Sequence, residues 1–275
     1  MPPAKTVWVV GPDGVEAREV GRWVLRKVHH VDRLADIFAT AMKNKWRHRG
    51  YGELFAGPGL SKIRGGNEYV VGSARRALGR DFTNYVFVDL DPRATRALAA
   101  RLTRDAVAKN VDVFTGDCNL MIPNVRRVLP VDTLSLVFVD PTAVQIEMKS
   151  LIQLVDGRHM DLLVTFQVSA LIRVGMSPSS AVDEFFGTAA WRSVLPGPRE
   201  RLVERLVTFY NEQLTERAGY LPGAFKNAVS VKNAKNRTIY ELVLFSRHPL
   251  GSKFWAAAGQ VDELGQSRLW DEVAL

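Results

Sequence analysis

From residue 24 the chain carries apolar side chains at three- and four-residue steps: Val24, Val28, Val31, Ala35, Phe38 and Met42, with Leu34 and Ile37 beside them. That spacing gathers them on one face and predicts an amphipathic helix. The stretch before it has no such period. Pro2, Pro3, Gly11, Pro12 and Gly14 punctuate it, so it reads as a short strand-turn-strand or as a loose arm. The helix runs into Lys43, Lys45, Arg47, His48 and Arg49, cations that suit the negative end of a helix dipole.

After Gly50 the rhythm changes to short, nearly continuous apolar runs: Tyr51 to Phe55, Tyr85 to Asp91, Val111 to Phe114, Leu134 to Asp140 and Asp161 to Phe166. Helical patterns separate them, among them one carrying Ala74, Ala77 and Leu78 and one from Arg93 to Leu102 that Pro92 opens. Apolar strands alternating with helices predict a parallel sheet covered on both faces. Leu60 to Asn67 reads as a polar, glycine-containing loop. Ser169 to Tyr220 shows no strand and predicts a helical insertion, with helices at Ala181 to Phe186 and Arg199 to Ala218. Ala228 to Val231 and Thr238 to Phe245 are strands joined by the turn-rich Lys232 to Arg237, a hairpin signal. The fold class expected is therefore α/β: a Rossmann-like, mostly parallel seven-stranded sheet with a C-terminal antiparallel hairpin and a helical insertion. The tail after Gly259 reads as a surface segment.

Composition narrows the function classes. With 275 residues, 47% of them hydrophobic and 24% charged, the chain has the makings of a sizeable core. Cys118 is its single cysteine, which excludes an intrachain disulfide framework and a cysteine-rich zinc site. The five histidines, His29, His30, His48, His159 and His248, show no metal-ligand spacing, so no metal is expected. No basic-then-apolar leader opens the chain, and no apolar run nears the ~20 residues of a membrane helix. A soluble, cytoplasmic protein without a membrane partner is the expectation. The net charge of +8, with basic clusters at Lys43 to Arg49, Arg75-Arg76, Arg126-Arg127 and Lys226 to Arg237, makes a nucleic-acid partner plausible, although each cluster alone reads as a solvated face.

The acids sit where open α/β sheets bind ligands, at strand ends. Glu53 precedes the Gly57-Pro58-Gly59 turn, and Asp89, Asp117 and Asp140 close the next three strands. Each has a task if the ligand is a nucleoside cofactor. The turn lets backbone approach the ligand, Asp89 can accept ribose hydroxyls, Asp117 can meet an adenine amino group, and Asp140 faces the reacting atom. The turn is not a dinucleotide fingerprint, since Lys62 stands at the third glycine position, nor a P-loop. Asp91, just before Pro92, reads as a helix cap. Cys118 lacks the setting of a nucleophile and reads as a small core residue. His30 reads as a structural histidine.

Glu53-Leu54-Phe55-Ala56-Gly57-Pro58-Gly59, followed by Val88-Asp89-Leu90-Asp91-Pro92, Gly116-Asp117 and Phe138-Val139-Asp140-Pro141, resembles the motif series of class I S-adenosylmethionine-dependent methyltransferases. More narrowly, it resembles the three-Cys-motif partner family. The helix with Lys27 and His30, Gly72-Ser73 and the closing run from Tyr240 through His248 and Gly251 to Phe254 fit that family. The resemblance runs from about Lys27 to Ala258. It implies S-adenosylmethionine as cofactor, held by Glu53, Phe55, Ala56, Gly57, Gly59, Asp89, Asp117, Cys118 and Asp140, with Asp140 also catalytic. Substrate contacts are expected from Thr142, Phe166, Lys232, Lys235 and Arg237. It implies a single methyltransferase-like domain over 1–275: an N-terminal arm and helix at 1–48, a cofactor-binding core at 50–168, a helical cap at 169–222, and a closing hairpin and helix at 225–258.

One departure bears on the acceptor. Enzymes that methylate base amino groups carry Asp-Pro-Pro-aromatic after the fourth strand, the aromatic stacking on the base. Here the run is Asp140-Pro141-Thr142-Ala143. Phe166 or a cap residue such as Trp191 or Tyr210 could supply stacking, or core packing could claim all of them. The expected function is a methyltransferase acting on DNA or RNA. The alternatives are a non-catalytic nucleic-acid-binding or protein-partner subunit on the same scaffold, and a small-molecule methyltransferase.

Overall fold

The computed structural model describes residues 6–105, 109–174 and 179–260. Strands β1 (Trp8–Val10) and β2 (Glu16–Val20) come first, so the N-terminal stretch is a strand-turn-strand. Helix α1 (Val24–Met42) buries Val28, Val31, Leu34, Ala35, Phe38 and Met42, the face its periodicity marks. Then follow β3 (His48–Leu54), β4 (Leu60–Ile63), β5 (Tyr69–Val71), α2 (Ser73–Ala77), β6 (Asn84–Asp89), α3 (Pro92–Asp105), β7 (Asn110–Thr115) and α4 (Ile122–Val128). The chain continues through β8 (Thr133–Val139), α5 (Met148–Val155), β9 (Met160–Gln167), α6 (Val168–Val174), α7 (Ser180–Phe186), α8 (Leu202–Ala218), β10 (Val229–Lys232), β11 (Thr238–Phe245) and α9 (Pro249–Gly259).

The large sheet has seven strands in the order β10-β11-β9-β8-β3-β6-β7. Its five central and edge strands from β9 to β7 run parallel, and the β10–β11 hairpin adds antiparallel to β9. Counted in chain order, the parallel strands lie 3-2-1-4-5, the doubly wound arrangement whose order reverses at β3. The Rossmann-like fold expected from the apolar runs is the fold observed.

Alternation along the strands feeds two cores. Tyr51, Phe87, Leu136, Phe138 and Leu163 face α1, α2, α3 and α9. Leu54, Val88, Val137, Val139, Val164 and Phe166 face α4, α5 and the helices α6 to α8.

Two expectations need correction. Leu60 to Asn67 is not a loop. Leu60, Ile63 and Val70 are buried, and Gly65-Gly66-Asn67 supply a turn between β4 and β5. These strands join β1 and β2 in a second, four-stranded sheet in the order β1-β2-β4-β5, through a parallel β2–β4 pair. The glycines and short length hid the strand pattern. The basic run from Lys43 also does not extend the helix: α1 stops at Met42, and Arg49 lies in β3, almost wholly buried. Its guanidinium donates to the Trp46, Lys43 and Asp81 carbonyls and to the Asp81 carboxylate, so it binds the turn after the helix. Pro2, Pro3 and the tail beyond residue 260 lie outside the described residues.

Candidate active site

The glycine turn is built at the end of β3. The Phe55 and Ala56 N–H groups both donate to the Val88 carbonyl at 2.9 Å, which bends the chain sharply. Phe55 then adopts φ 74°, a left-handed conformation that costs a non-glycine residue on the order of 1 kcal/mol or more. Gly57 (φ 66°) and Gly59 (φ 74°) continue the turn. A Cβ on Gly59 would come within 2.8 Å of Leu98, whereas one on Gly57 would have no neighbour within 4 Å. The turn is thus packed on one side and opens onto free space on the other.

Asp89 closes β6 beside that opening. One carboxylate oxygen accepts the Gly57 N–H at 2.8 Å and the other accepts the Asp91 N–H at 2.9 Å. Arg18 of β2 stands 3.9 Å away. Asp91 accepts the Arg93 N–H at 2.8 Å and so caps α3, as its place before Pro92 suggested. Asp117 follows β7 and accepts both the backbone and side-chain N–H groups of Asn119. Asn119 in turn donates to the Gln145 carbonyl and accepts the Glu147 N–H, and the Gln145 side chain accepts from Thr142 and Ala143. This chain of bonds ties the third-strand acid to the loop after Asp140. Leu90 and Leu120, each next to or near one of these acids, are 67% and 72% exposed.

Glu53 and Asp140 face α1. Glu53 is buried and accepts the Tyr51 hydroxyl at 2.6 Å and the Ser73 hydroxyl at 3.0 Å. Burial pushes its carboxyl up to about 8, against the pull of those two hydrogen bonds, so it holds its proton at neutral pH. Asp140 accepts from the Lys27 ammonium at 2.6 Å. The Lys27 ammonium also lies 4.9 Å from the centre of the Tyr240 ring. Burial pulls the Lys27 ammonium down, but the Asp140 charge and hydrogen bond, with Tyr240 and Glu53 nearby, together more than offset this and raise it. Cys118 is buried in the core behind Asp117, and burial, with the Asp117 charge second, pushes its thiol up to about 12.

The structure therefore brings Glu53, Phe55, Ala56, Gly57, Gly59, Asp89, Asp117 and Asp140 to one edge of the sheet. Thr142 is exposed on the loop pinned by Gln145. Lys232, Lys235 and Arg237 are exposed in the hairpin turn, which extends past the same edge because Tyr240 pairs with Gln167, the last residue of β9. Phe166 is a correction. It is 2% exposed and packs against Tyr210, Phe245 and Phe185 on the opposite face, so it cannot stack on an acceptor at Asp140. Trp191 and Tyr210 are likewise core residues. Two basic clusters are engaged internally: Arg75 pairs with Asp105, Arg76 with Asp32, and Arg126 donates to the Gln153, Leu154 and Asp156 carbonyls.

Sequence reasoning missed Arg18, Asn119 and Gln145, and gave Lys27 and Tyr240 no role. Only the family resemblance marked those two, since a lone lysine on a helix carries no signal of its own. The other resemblance residues prove structural. His30 Nδ1 lies 3.2 Å from the Ala258 carbonyl, and His248 caps α9 by accepting the Leu250 N–H. A Cβ on Gly251 would collide with Ser246. Among the described residues no group of His, Cys, Asp or Glu could hold a metal ion, and no helix is long and apolar enough to cross a membrane. A cavity of about 540 Å³ lined by Asn84, Lys109 and Arg127 lies at the other edge of the sheet, with Lys109 bound to the Leu78 and Arg80 carbonyls.

No family model matches the chain, and no curated protein matches it. Solved structures of similar fold include the methyltransferase domain of bacterial CtHen1-CN, at 10% identity over 78% of this chain and 97% of that one, TM-score 0.43. The O-methyltransferase TomG from Streptomyces achromogenes in complex with SAM matches at 15% identity over 82% and 79%, TM-score 0.46. Protein LPL1258 from Legionella pneumophila matches at 11% identity over 88% and 94%, TM-score 0.48. The strand order, rather than these distant likenesses, identifies the fold.

Proposed function

We propose that this chain is an S-adenosylmethionine-dependent methyltransferase with a nucleic-acid acceptor, of the three-Cys-motif partner type. The observation that carries the reading is the carboxylate of Asp89 bound to the left-handed Gly57 turn, beside the open space above that glycine and next to the strand where the sheet order reverses. The residues present fit a nucleoside cofactor. Asp89 keeps lone pairs free for ribose hydroxyls, since each of its oxygens takes one backbone N–H. The backbone of Phe55, Ala56, Gly57 and Gly59 gives close approach. Asp117 can accept from an adenine amino group, with Leu90 and Leu120 as apolar neighbours and Cys118 as the wall behind it.

When bound, the cofactor supplies a methyl group activated by a sulfonium. The protein's part is then to position and to exclude water. Asp140 orients the acceptor, Lys27 holds Asp140, and the Asn119–Gln145 bonds fix the loop that carries both Asp140 and Thr142. The exposed Lys232, Lys235 and Arg237, together with the net charge of +8, suit a phosphate backbone at this edge. Titration calorimetry with S-adenosylhomocysteine tests the cofactor reading. Wild type is expected to bind one equivalent, and Asp89→Ala to bind at least about tenfold more weakly, as loss of charge-assisted hydrogen bonds requires. No binding to wild type overturns it.

A second reading, a non-catalytic nucleic-acid-binding or partner subunit, draws on Thr142-Ala143 in place of an aromatic and on Asp140 being already engaged by Lys27. Labelled methyl incorporation into nucleic acid that Asp140→Ala abolishes would reject it.

A further inference from the structure

The α1 side of the acid edge holds more unsatisfied polarity than an orienting carboxylate requires. Asp140 directly follows Val139, which pairs with Val164 of β9, so Thr165 is its neighbour one step along the sheet. Gln167 lies two residues further along β9 and pairs with Tyr240. Alternation sets Thr165 and Gln167 on the same face as Leu163, toward α1. Thr165 is 1% exposed, and its hydroxyl has no hydrogen-bond partner among the described residues. The side-chain carbonyl oxygen of Gln167 is buried and has none either. Buried polar atoms in folded proteins almost always find partners. The Gln167 oxygen, unlike the orphaned Thr133, Tyr210 and Trp255 groups, stands at the end of β9 beside a largely buried ion pair, so it points to a ligand.

From this juxtaposition we infer that Lys27, Asp140, Gln167 and Tyr240 form the acceptor subsite, with Thr165 packed beneath it, and that it takes a nucleobase bearing an exocyclic amino group next to an unprotonated ring nitrogen. The inference rests on the methyltransferase reading and names its substrate class. An amino group offers two N–H donors, and the site offers two acceptors for them, the Asp140 carboxylate and the Gln167 carbonyl oxygen. The ring nitrogen accepts from the Lys27 ammonium, which has three N–H groups and spends one on Asp140. A hydroxyl acceptor has a single hydrogen and would leave Gln167 unpaired. Uracil presents a carbonyl and a ring N–H in place of this pair, so it would set a carbonyl against Asp140 and Gln167. Tyr240, partly exposed and packed on the Lys27 ammonium, brings an aromatic ring to the subsite that lacks one after Pro141. The exposed Lys232, Lys235 and Arg237, just before Tyr240 in the same hairpin, make no ion pair among the described residues and suit the phosphates of a single strand.

The test is fluorescence anisotropy with end-labelled ten-nucleotide RNA strands of cytidine, adenosine or uridine, at low salt with S-adenosylhomocysteine present. Phosphate contacts are common to all three, so differences report the base. Wild type is expected to bind the cytidine or the adenosine strand at least about fivefold more tightly than the uridine strand, the scale of a paired hydrogen-bond contact to a base edge. Gln167→Leu removes an orphaned oxygen and leaves the ion pair intact, so it is expected to keep the wild-type urea midpoint. It should bring the strands to within about twofold while S-adenosylhomocysteine binding is retained, and Asp140→Asn should shift the balance toward uridine. Equal binding of the three strands by wild type, or an undiminished preference in Gln167→Leu, overturns the inference while the cofactor reading stands. Absence of S-adenosylhomocysteine binding by wild type overturns the cofactor reading instead.

Discussion

Both faces of the large sheet carry an apolar core, but toward the acid edge they are covered by opposite chemistry. Beneath α6 to α8, Phe166, Phe185, Phe186, Trp191, Tyr210 and Phe245 pack ring against ring, with centroids 4.9 to 6.3 Å apart. Beneath the first turns of α1, the buried groups are a lysine, an aspartate and a glutamate held by Tyr51 and Ser73. The first arrangement gains from burial directly, since each large aromatic removes ~150–250 Å² from water. The second gives up solvation of the Lys27 and Asp140 charges and recovers it only through their pairing, while Glu53 stays protonated, so a well-packed apolar replacement would be at least as stable. The proposed binding role accounts for this costly arrangement next to a left-handed glycine turn.

The sharpest way to break this contrast is to cut into the aromatic face. Trp191 is wholly buried, stacks on Phe186 at 5.7 Å and donates its indole N–H to Asp183. Trp191→Ala is expected to cost about 3–5 kcal/mol, read as a lower urea midpoint, while S-adenosylhomocysteine affinity of the remaining folded protein changes by less than about twofold. A loss of affinity without loss of stability would mean that the aromatic face serves the site after all.

The polar face should respond differently, by context rather than by area. Lys27→Met leaves the Asp140 carboxylate half-buried and unpaired, and is expected to cost about 2–3 kcal/mol. On an Asp140→Asn background the same change should cost close to nothing. A double-mutant cycle by urea denaturation measures that coupling, and additive effects would show that the pair is not the unit claimed here.

How much of this was legible in the sequence follows the same divide. The apolar runs announced the parallel strands, and Thr238 to Phe245 appears as drawn, because a buried strand must be apolar whatever surrounds it. The acids at strand ends were legible because few other tasks place carboxylates there in series. What stayed hidden was tertiary pairing. Lys27 is 113 residues from Asp140, and nothing local to either predicts their contact. Phe166 misled for a related reason: strand alternation says that successive residues face opposite ways, but not which of them faces the ligand. The β4–β5 hairpin was missed because strands this short, around Gly65 and Gly66, owe their form to β2 rather than to their own pattern.

Glu53 supplies a smaller effect with a definite sign. Its folded value of about 8 lies above its ordinary 4.5, so between those limits the native state binds a proton that the unfolded chain releases. The stability Glu53 contributes is therefore full below pH 4.5 and is lost as pH rises toward 8. Asp161, at the other end of the sheet, is pushed up to about 6 by burial and acts in the same sense at lower pH. Glu53 alone should account for a loss of about 2 kcal/mol of stability between pH 6 and pH 8. Glu53→Gln, neutral at every pH, should flatten that slope in urea midpoints taken at the two limits. An unchanged slope would assign the titration to another group.

The smallest effect comes at the boundary between the two faces, where Cys118 belongs to the apolar core yet adjoins Asp117. Cys118→Ala removes one sulfur from a cluster of many side chains and should cost at most about 1 kcal/mol. The informative readout is reactivity. A thiol pushed from 9.0 up to about 12 carries roughly a thousandfold less thiolate at pH 8 than in the unfolded chain, and only the thiolate is alkylated. Iodoacetamide should therefore leave the native protein unmodified over hours and label it promptly in urea. Adding S-adenosylhomocysteine should change nothing, because burial already shields the sulfur. Rapid native labelling that the ligand suppresses would move Cys118 from the wall behind the acid edge into the ligand cleft itself, and would shift the boundary between the apolar and polar faces inward by one residue.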